Sequence, residues 1–314
     1  MASRLSSAPH PVDQVPPIGK LTVLGIQHVL AFYAGAVVVP LVIASGLELD
    51  NHTLVHLINA DLLTCGIATI IQSAGIGRFI GVKLPLIQGV TFTAVSPLIA
   101  IGAAATPPGA DPTTGLATMY GSIIAVGLIV FLVAPFFAKL LRFFPPIVTG
   151  TLLTVMGTTL LSVSAGDIVA WADKATDDAA KAAATYEALG FAFGTIAIIV
   201  IIQRLFKGFM GTLSVLLALL IMTAVAFALG KTDFSGVGEA TWLGITTPFY
   251  FGIPKFSVTA IVAMIIVMAV TAVETTGDVF ATGEVVGKRI APRDIANALR
   301  ADGLSTLLGG VLNS

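Results

Sequence analysis

The chain contains long apolar stretches without a charged residue, and these constrain its fold more than any other feature. A helix needs about 20 consecutive, mostly apolar residues to cross a bilayer. Hydrophobic residues make up 56% of the sequence and charged residues only 11%, unlike soluble domains. We therefore predict an all-α polytopic membrane protein with eight spans, at Leu21–Leu47, Leu62–Gly77, Leu84–Ala110, Pro112–Ala138, Phe143–Gly166, Ala188–Gln203, Phe209–Gly230 and Phe256–Val273.

The positively charged residues predict the orientation of these spans. Lys and Arg accumulate in the cytoplasmic loops of membrane proteins. With a cytoplasmic N-terminus, four of the sixteen cations fall outside, namely Lys174, Lys181, Lys231 and Lys255. The other twelve fall inside, namely Arg4, Lys20, Arg78, Lys83, Lys139, Arg142, Arg204, Lys207, Lys288, Arg289, Arg293 and Arg300. We predict a multi-pass protein of the plasma or inner membrane.

An acid pair directly follows the eighth apolar stretch. Glu274 and Asp278 are four residues apart, so on a continuing helix they point the same way, one turn apart. Ionisable groups at membrane depth cost several kcal/mol each and usually face a cavity, a partner or an ion path. The pair therefore predicts a transport site.

The third apolar stretch does not have the composition of an ordinary lipid-facing helix. It carries Pro85, Gln88, Gly89, Thr91 and Pro97 at membrane depth. Proline removes a backbone donor and glycine tolerates non-helical angles. Broken spans indicate the midplane binding site of a transporter, where freed amides bind a polar solute. The alternative is a proline-kinked helix packed by its neighbours.

Four further residues within the predicted spans are candidates with competing interpretations. Phe92 could stack on a planar ligand, or it could face lipid or fill a core. His28 could relay protons or bind substrate, or it could tie two helices together. We favour a headgroup or capping position for Asp61 over a role in transport. Cys65, the only cysteine, is interpreted as a packing residue.

Several functional classes are disfavoured by the sequence. A net charge of −1 gives no basic patch for nucleic acid, and a single cysteine excludes an intrachain disulfide and a cysteine-rich metal site. We find no convincing Ser/His/Asp arrangement and no clustered metal-ligand motif. A membrane-embedded hydrolase could use paired acids but would need a second acidic motif. We expect a protein that is not an enzyme and has no cofactor.

Three segments together resemble the nucleobase/ascorbate transporters, the uracil, xanthine and urate permeases. They are Gln27-His28, the segment from Leu84-Pro85 to Phe92, and Glu274-Thr275-Thr276-Gly277-Asp278, within a resemblance that covers residues 18–314. The resemblance implies fourteen spans in two inverted seven-span repeats, with a core and a gate domain. It also implies a short strand in the third and tenth spans, with the base bound between them.

The resemblance also implies roles for individual residues. Glu274 matches the glutamate that hydrogen-bonds the base, and Asp278 matches a position implicated in proton coupling. Phe92 matches the aromatic that contacts the ring, and His28 matches a histidine that affects the site. With Gln88, Gly89 and Thr91 of the broken span, they form the expected substrate site, in which Glu274 accepts from ring N–H groups and third-span amides donate to carbonyls.

The implied domains are a cytoplasmic tail at 1–20, a core domain at 21–138, a gate domain at 139–253, and a return to the core at 254–314. The sequence stops before the tenth-span region, where the family carries a second binding Gln or Glu. We therefore expect a truncated chain that does not transport alone, and a homodimer in full-length form.

The expected function is proton symport of nucleobases across the bilayer, with oxidised purines such as xanthine or urate as the favoured substrates. The alternatives are a uracil permease and an anion transporter or channel of the same architecture. An anion transporter would favour a positive residue where this chain has Glu274 and Asp278.

Overall fold

The computed structural model describes residues 11–140, 146–172, 178–232, 234–239, 244 and 246–314. Within these ranges the chain forms ten α-helices and no strand. The helices are α1 (Ile18–Gly46), α2 (Asn51–Ala74), α3 (Val95–Ala105), α4 (Leu116–Leu140), α5 (Pro146–Ala172), α6 (Asp178–Leu205), α7 (Phe209–Thr212), α8 (Ser214–Ala228), α9 (Val258–Val286) and α10 (Pro292–Leu312).

Each of the eight predicted apolar stretches overlaps a helix. Five described helices, namely α1, α2, α4, α6 and α9, are long and apolar enough to cross a membrane. The third and seventh stretches form the shorter apolar helices α3 and α8, and α5 occupies the fifth. The predicted all-α polytopic membrane fold is confirmed. Helix α10, which follows the last predicted span, was not predicted.

Short polar caps fix the beginnings of two helical segments. The Thr53 amide donates to the Asp50 carboxylate at 3.2 Å, which caps α2 and lowers the pKa of Asp50. Before α4, the Thr113 hydroxyl and amide donate to Asp111 at 2.6 and 2.8 Å and lower the pKa of Asp111. These carboxylates satisfy N–H groups that a helix leaves without partners.

The chain divides into two compact units. The first comprises Met1–Leu24, Ala36–Gly150 and Ile245–Ser314, and therefore contains α2, α3, α4, α9 and α10. The second comprises Gly25–Gly35 and Thr151–Gly244. The assignment of core and gate roles to parts of the chain stays a prediction.

Glycines bring α4 and α10 into close contact in the first unit. A Cβ atom at Gly303 would collide with the backbone of Phe131, and one at Gly127 would collide with the backbone of Leu307. Small residues allow such close approach of helix backbones in membranes, where van der Waals packing rather than hydrophobic burial drives association. The contact fixes the position of α10 against its neighbour.

In the second unit, α6 packs against α8. The Gln203 amide donates to the Ser214 hydroxyl at 3.1 Å, and Lys231 forms an ion pair with Glu187 at 2.8 Å. Interhelical hydrogen bonds of this kind join neighbouring helices in lipid.

Candidate functional site

The third span is broken between α2 and α3. The chain from Leu84 to Val90 is non-helical, and the Thr91 hydroxyl then accepts from the Thr93 amide at 3.2 Å to open a short 3₁₀ turn before α3. Thr69 on α2 holds this segment, because its hydroxyl accepts from the backbone N–H of Gln88 at 3.0 Å and donates to the backbone carbonyl of Gln88 at 3.2 Å.

The break confirms the predicted broken span, and the alternative of a continuous kinked helix is wrong. Pro97 lies in the first turn of α3, where a missing N–H costs no helical hydrogen bond. The short strand implied for this span is also absent from the described residues, where the segment pairs with Thr69 of a helix instead of with another strand.

The carboxylate of Glu274 on α9 lies against the end of this broken segment. The Thr93 hydroxyl donates to Glu274 Oε1 at 2.9 Å, and the Thr91 hydroxyl donates to Oε2 at 3.3 Å. Hydrogen bonds to an ionised group are shorter and stronger than neutral ones. The structure thus brings together Glu274 and Thr91, both predicted site residues, and fixes the direction of the carboxylate.

A second carboxylate reaches the same segment from α10. Gln88 Nε2 donates to Asp302 Oδ1 at 2.9 Å, and Gln72 Nε2 lies 3.5 Å from the same atom. Asp302 is only 6% exposed, and its Oδ2 makes no hydrogen bond of regular geometry within the described part of the chain, although the Thr275 hydroxyl is close enough to interact with the carboxyl group. A buried acceptor without a well-placed donor is costly, so Oδ2 is available to a ligand donor.

Gln88, Thr91 and Asp302 border a cavity of about 170 Å³ in the first unit. Its wall is mostly apolar, with contributions from α1, α2, the broken segment, α4, α9 and α10. The polar side chains or backbone in the wall include Asp61, Gln88, Gly89, Thr91, Tyr120, Thr275 and Asp302. A concave, largely apolar cavity with a few placed polar groups is typical of a small-molecule site.

Asp61 is a buried member of this wall, and the headgroup or capping position favoured from the sequence stays a prediction. Its side chain is 1% exposed, the Ser314 hydroxyl donates to its Oδ1 at 3.1 Å, and the Cys65 thiol lies 3.7 Å from both oxygens. Helix α2 begins at Asn51, ten residues before Asp61, and this carries the carboxylate well into the helix. Cys65 is buried, and its thiol also contacts Asp61.

Four predicted site residues lie outside the cavity wall defined by the described residues: Glu274, which bonds to Thr91 of the wall, and Phe92, Asp278 and His28. Phe92 is half-buried and packs on the apolar core of the first unit. Asp278 is exposed and near enough to Asp302 for the two carboxylates to repel each other. His28 is exposed on the Gly25–Gly35 stretch of α1. Their roles stay predictions.

Comparison with known proteins identifies the family. The model of the Permease family, Xan_ur_permease, matches residues 19–314. The chain belongs to this family. It is 42% identical over 296 residues to a xanthine permease of Bacillus subtilis (strain 168), covering 94% of this chain and 64% of that protein. It is 41% identical to the uric acid permease PucK of the same organism, covering 94% of this chain and 65% of that protein.

A third relative is the uric acid transporter UacT of Escherichia coli (strain K12), 39% identical over 303 residues, or 96% of this chain and 60% of that protein. The chain thus spans 60 to 65% of the length of these curated relatives. The family to which this chain belongs, and the relatives named here, are permeases rather than enzymes.

Asp302 is a residue of the candidate site that the sequence did not lead us to predict. The first half of α10 carries Arg293, Asp294 and Arg300, so it does not form an uncharged span. A signal was nevertheless present, because Asp302 is followed by an uncharged run, residues 303–314, that contains Gly303 and two further glycines. A lone acid at the edge of such a run has the same pattern as Glu274 after Val273.

Proposed function

We propose that this permease carries purine bases, most specifically oxidised purines such as xanthine or uric acid, by proton symport. The relatives it resembles are xanthine and uric acid permeases. The observation that carries the proposal is that Glu274 on α9 and Asp302 on α10 both lie against the break in the third span. Each carboxylate accepts hydrogen bonds from side chains of residues 88–93.

This arrangement suits the hydrogen-bonding edge of an oxidised purine. Such a base presents ring N–H donors beside carbonyl acceptors. Glu274 accepts from ring N–H groups, and Oδ2 of Asp302 can accept another. The backbone amide of Gly89 can donate to a carbonyl, because the segment forms neither helix nor strand there.

The apolar part of the wall suits the faces of the ring. Met264 and Met268 on α9 and Leu57 on α2 line the cavity with Ile43 of α1. Methionine side chains adapt their shape and pack well on aromatic surfaces. The wall would thus hold a flat ring whose edge faces the carboxylates.

Proton coupling would use the carboxylates around Asp278. Asp278 and Asp302 repel each other when both are charged, and Asp278 is accessible while Asp302 is buried. A proton taken up at Asp278 removes that repulsion and one charge from the membrane interior. Movement of the loaded protein then carries the base and the proton together.

The acidic character of the site argues against the anion-channel alternative. Asp61 and Asp302 line the cavity, Glu274 adjoins it, and no Lys or Arg side chain is among the described lining residues. A carboxylate-lined site disfavours a simple inorganic anion, which has no N–H donor to offset the direct repulsion, whereas an oxidised purine keeps ring N–H groups even when it is charged.

Uptake measurements test the proposal. Cells that lack their own purine permeases would express a full-length form of the protein, and uptake of radiolabelled xanthine, urate and uracil would be compared with and without a proton gradient. Saturable, gradient-dependent uptake of a purine is expected. Preference for uracil would support the pyrimidine alternative, and purine uptake that ignores the proton gradient would contradict symport.

A further inference from the structure

A tight turn between α2 and the broken segment is held in place by α10. Arg293 Nη2 and Asn297 Nδ2 donate to the Arg78 carbonyl at 3.3 and 3.2 Å, and Arg300 Nη1 donates to the Phe79 carbonyl at 3.3 Å. Gly81, with a φ of +85°, approaches the α2 backbone so closely that a Cβ atom would collide with the Ile71 carbonyl. The turn is therefore a preorganised element.

A concave surface beside this turn is lined by four cations. Its volume is about 390 Å³, and the cations in its wall are Arg78, Lys83, Lys288 and Arg293. None of the four forms an ion pair with a carboxylate of the described residues. The acid in the wall, Asp294, already accepts the Ala291 amide at 2.9 Å as a helix cap. The surface thus carries four positive charges against the one negative charge of Asp294.

Exposed apolar side chains adjoin these cations. Phe79 follows Arg78 in the turn and is 63% exposed, and Val285, three residues before Lys288, is 86% exposed. The turn follows the end of α2, and Val285 lies at the end of α9, two helices that can span a membrane. A basic concavity beside exposed apolar residues at the ends of spans lies where the headgroup and hydrocarbon regions meet.

We propose that this surface binds the headgroup of an anionic phospholipid. The lipid phosphate contacts Arg78, Lys83 and Lys288, and the first part of the acyl chain contacts Phe79 and Val285. Basic pockets between helices on the cytoplasmic side bind anionic headgroups, and the cation distribution predicts that side for this surface. The exposed apolar pair favours a lipid over free phosphate, because a free anion gains nothing from it.

Binding of a fluorescent phosphatidylglycerol to the purified protein in zwitterionic detergent tests this site. Each cation near an anionic surface contributes about 1 kcal/mol, so Lys83→Gln with Lys288→Gln should weaken binding about 30-fold. The charge-conserving pair Lys83→Arg with Lys288→Arg should keep near-wild-type affinity. The matched control Lys20→Gln with Lys207→Gln removes two cations of the same predicted side that do not line the concavity, and should change affinity by less than about threefold.

Three outcomes would overturn the proposal. The first is equal weakening in the control pair and the Lys83 and Lys288 pair, which would show only a general charge effect. The second is equal affinity for phosphatidylcholine and phosphatidylglycerol. The third is complete displacement of the lipid by inorganic phosphate, which would identify a free-anion site. Thermal unfolding of each variant in the same detergent, with an unchanged midpoint, would show that a loss of binding is not a loss of fold.

Discussion

The hydroxyl of Thr93 offers the sharpest test of the site, because it makes the shorter of the two hydrogen bonds to Glu274. The replacement Thr93→Val keeps the shape of the side chain and removes the donor at 2.9 Å, leaving Thr91 at 3.3 Å. The carboxylate then loses its fixed direction, and the base has to reorder it on binding.

The size of the effect follows from the charge on the acceptor. A hydrogen bond to a charged group contributes about 1.5–3 kcal/mol, which corresponds to a change of about 10- to 150-fold in a dissociation constant. Water entering the cavity replaces part of the lost bond, so we expect xanthine affinity to fall by about tenfold.

Equilibrium binding of radiolabelled xanthine to purified protein measures this effect. Thr93→Ser, which keeps a hydroxyl, is the matched control and should restore most of the affinity. Wild-type affinity in Thr93→Val would refute the reasoning, and so would equal losses in the Val and Ser variants, since the hydroxyl would then not be the group that matters.

Three other predictions concern the same unit. In a full-length form, Glu274→Gln should abolish purine binding, because the amide places a donor opposite a ring N–H, and radiolabelled xanthine uptake near the wild-type rate would contradict this assignment. Asp278→Asn should reduce accumulation against a gradient more than equilibrium binding, since the amide mimics the protonated acid; equal losses in both measurements would identify a ligand or a structural group instead. Gly303→Ala should destabilise the protein by about 1–3 kcal/mol, because its Cβ meets the Phe131 backbone, whereas Gly157→Ala meets nothing within 4 Å. Detergent thermal unfolding compares these two, and equal midpoints would show that the α4 and α10 contact is not tight.

The apolar stretches predicted most of the helices, because a span in lipid must be long, apolar and internally hydrogen-bonded. The break in the third span was also predictable, since Gly89 and the prolines change local backbone energies whatever their neighbours are. The contact between Gln88 and Asp302 was not, because it joins residues 214 positions apart. Local patterns carry no information about such pairs.

The bounds of some spans and helix α10 were not predicted correctly, for a physical reason specific to membrane sites. The spans were bounded by the charged residues at their ends, but a buried acid within a helix also interrupts an uncharged run, so the predicted span stops before the helix does. The run at Leu62 starts directly after Asp61, and the run at Val273 ends directly before Glu274, while both helices continue beyond these points. Helix α10 was missed for the same reason, with Asp302 at the edge of its uncharged half.

Helix α10 also connects the turn after α2 with the cavity. Arg293 donates a hydrogen bond to the turn at Arg78. Asp302, nine residues and about 14 Å further along the same helix, accepts one from Gln88. Gly303, next to Asp302, lets the backbone of α10 pack closely against α4. The position of the turn and the position of the Asp302 carboxylate are therefore set together by the placement of one helix.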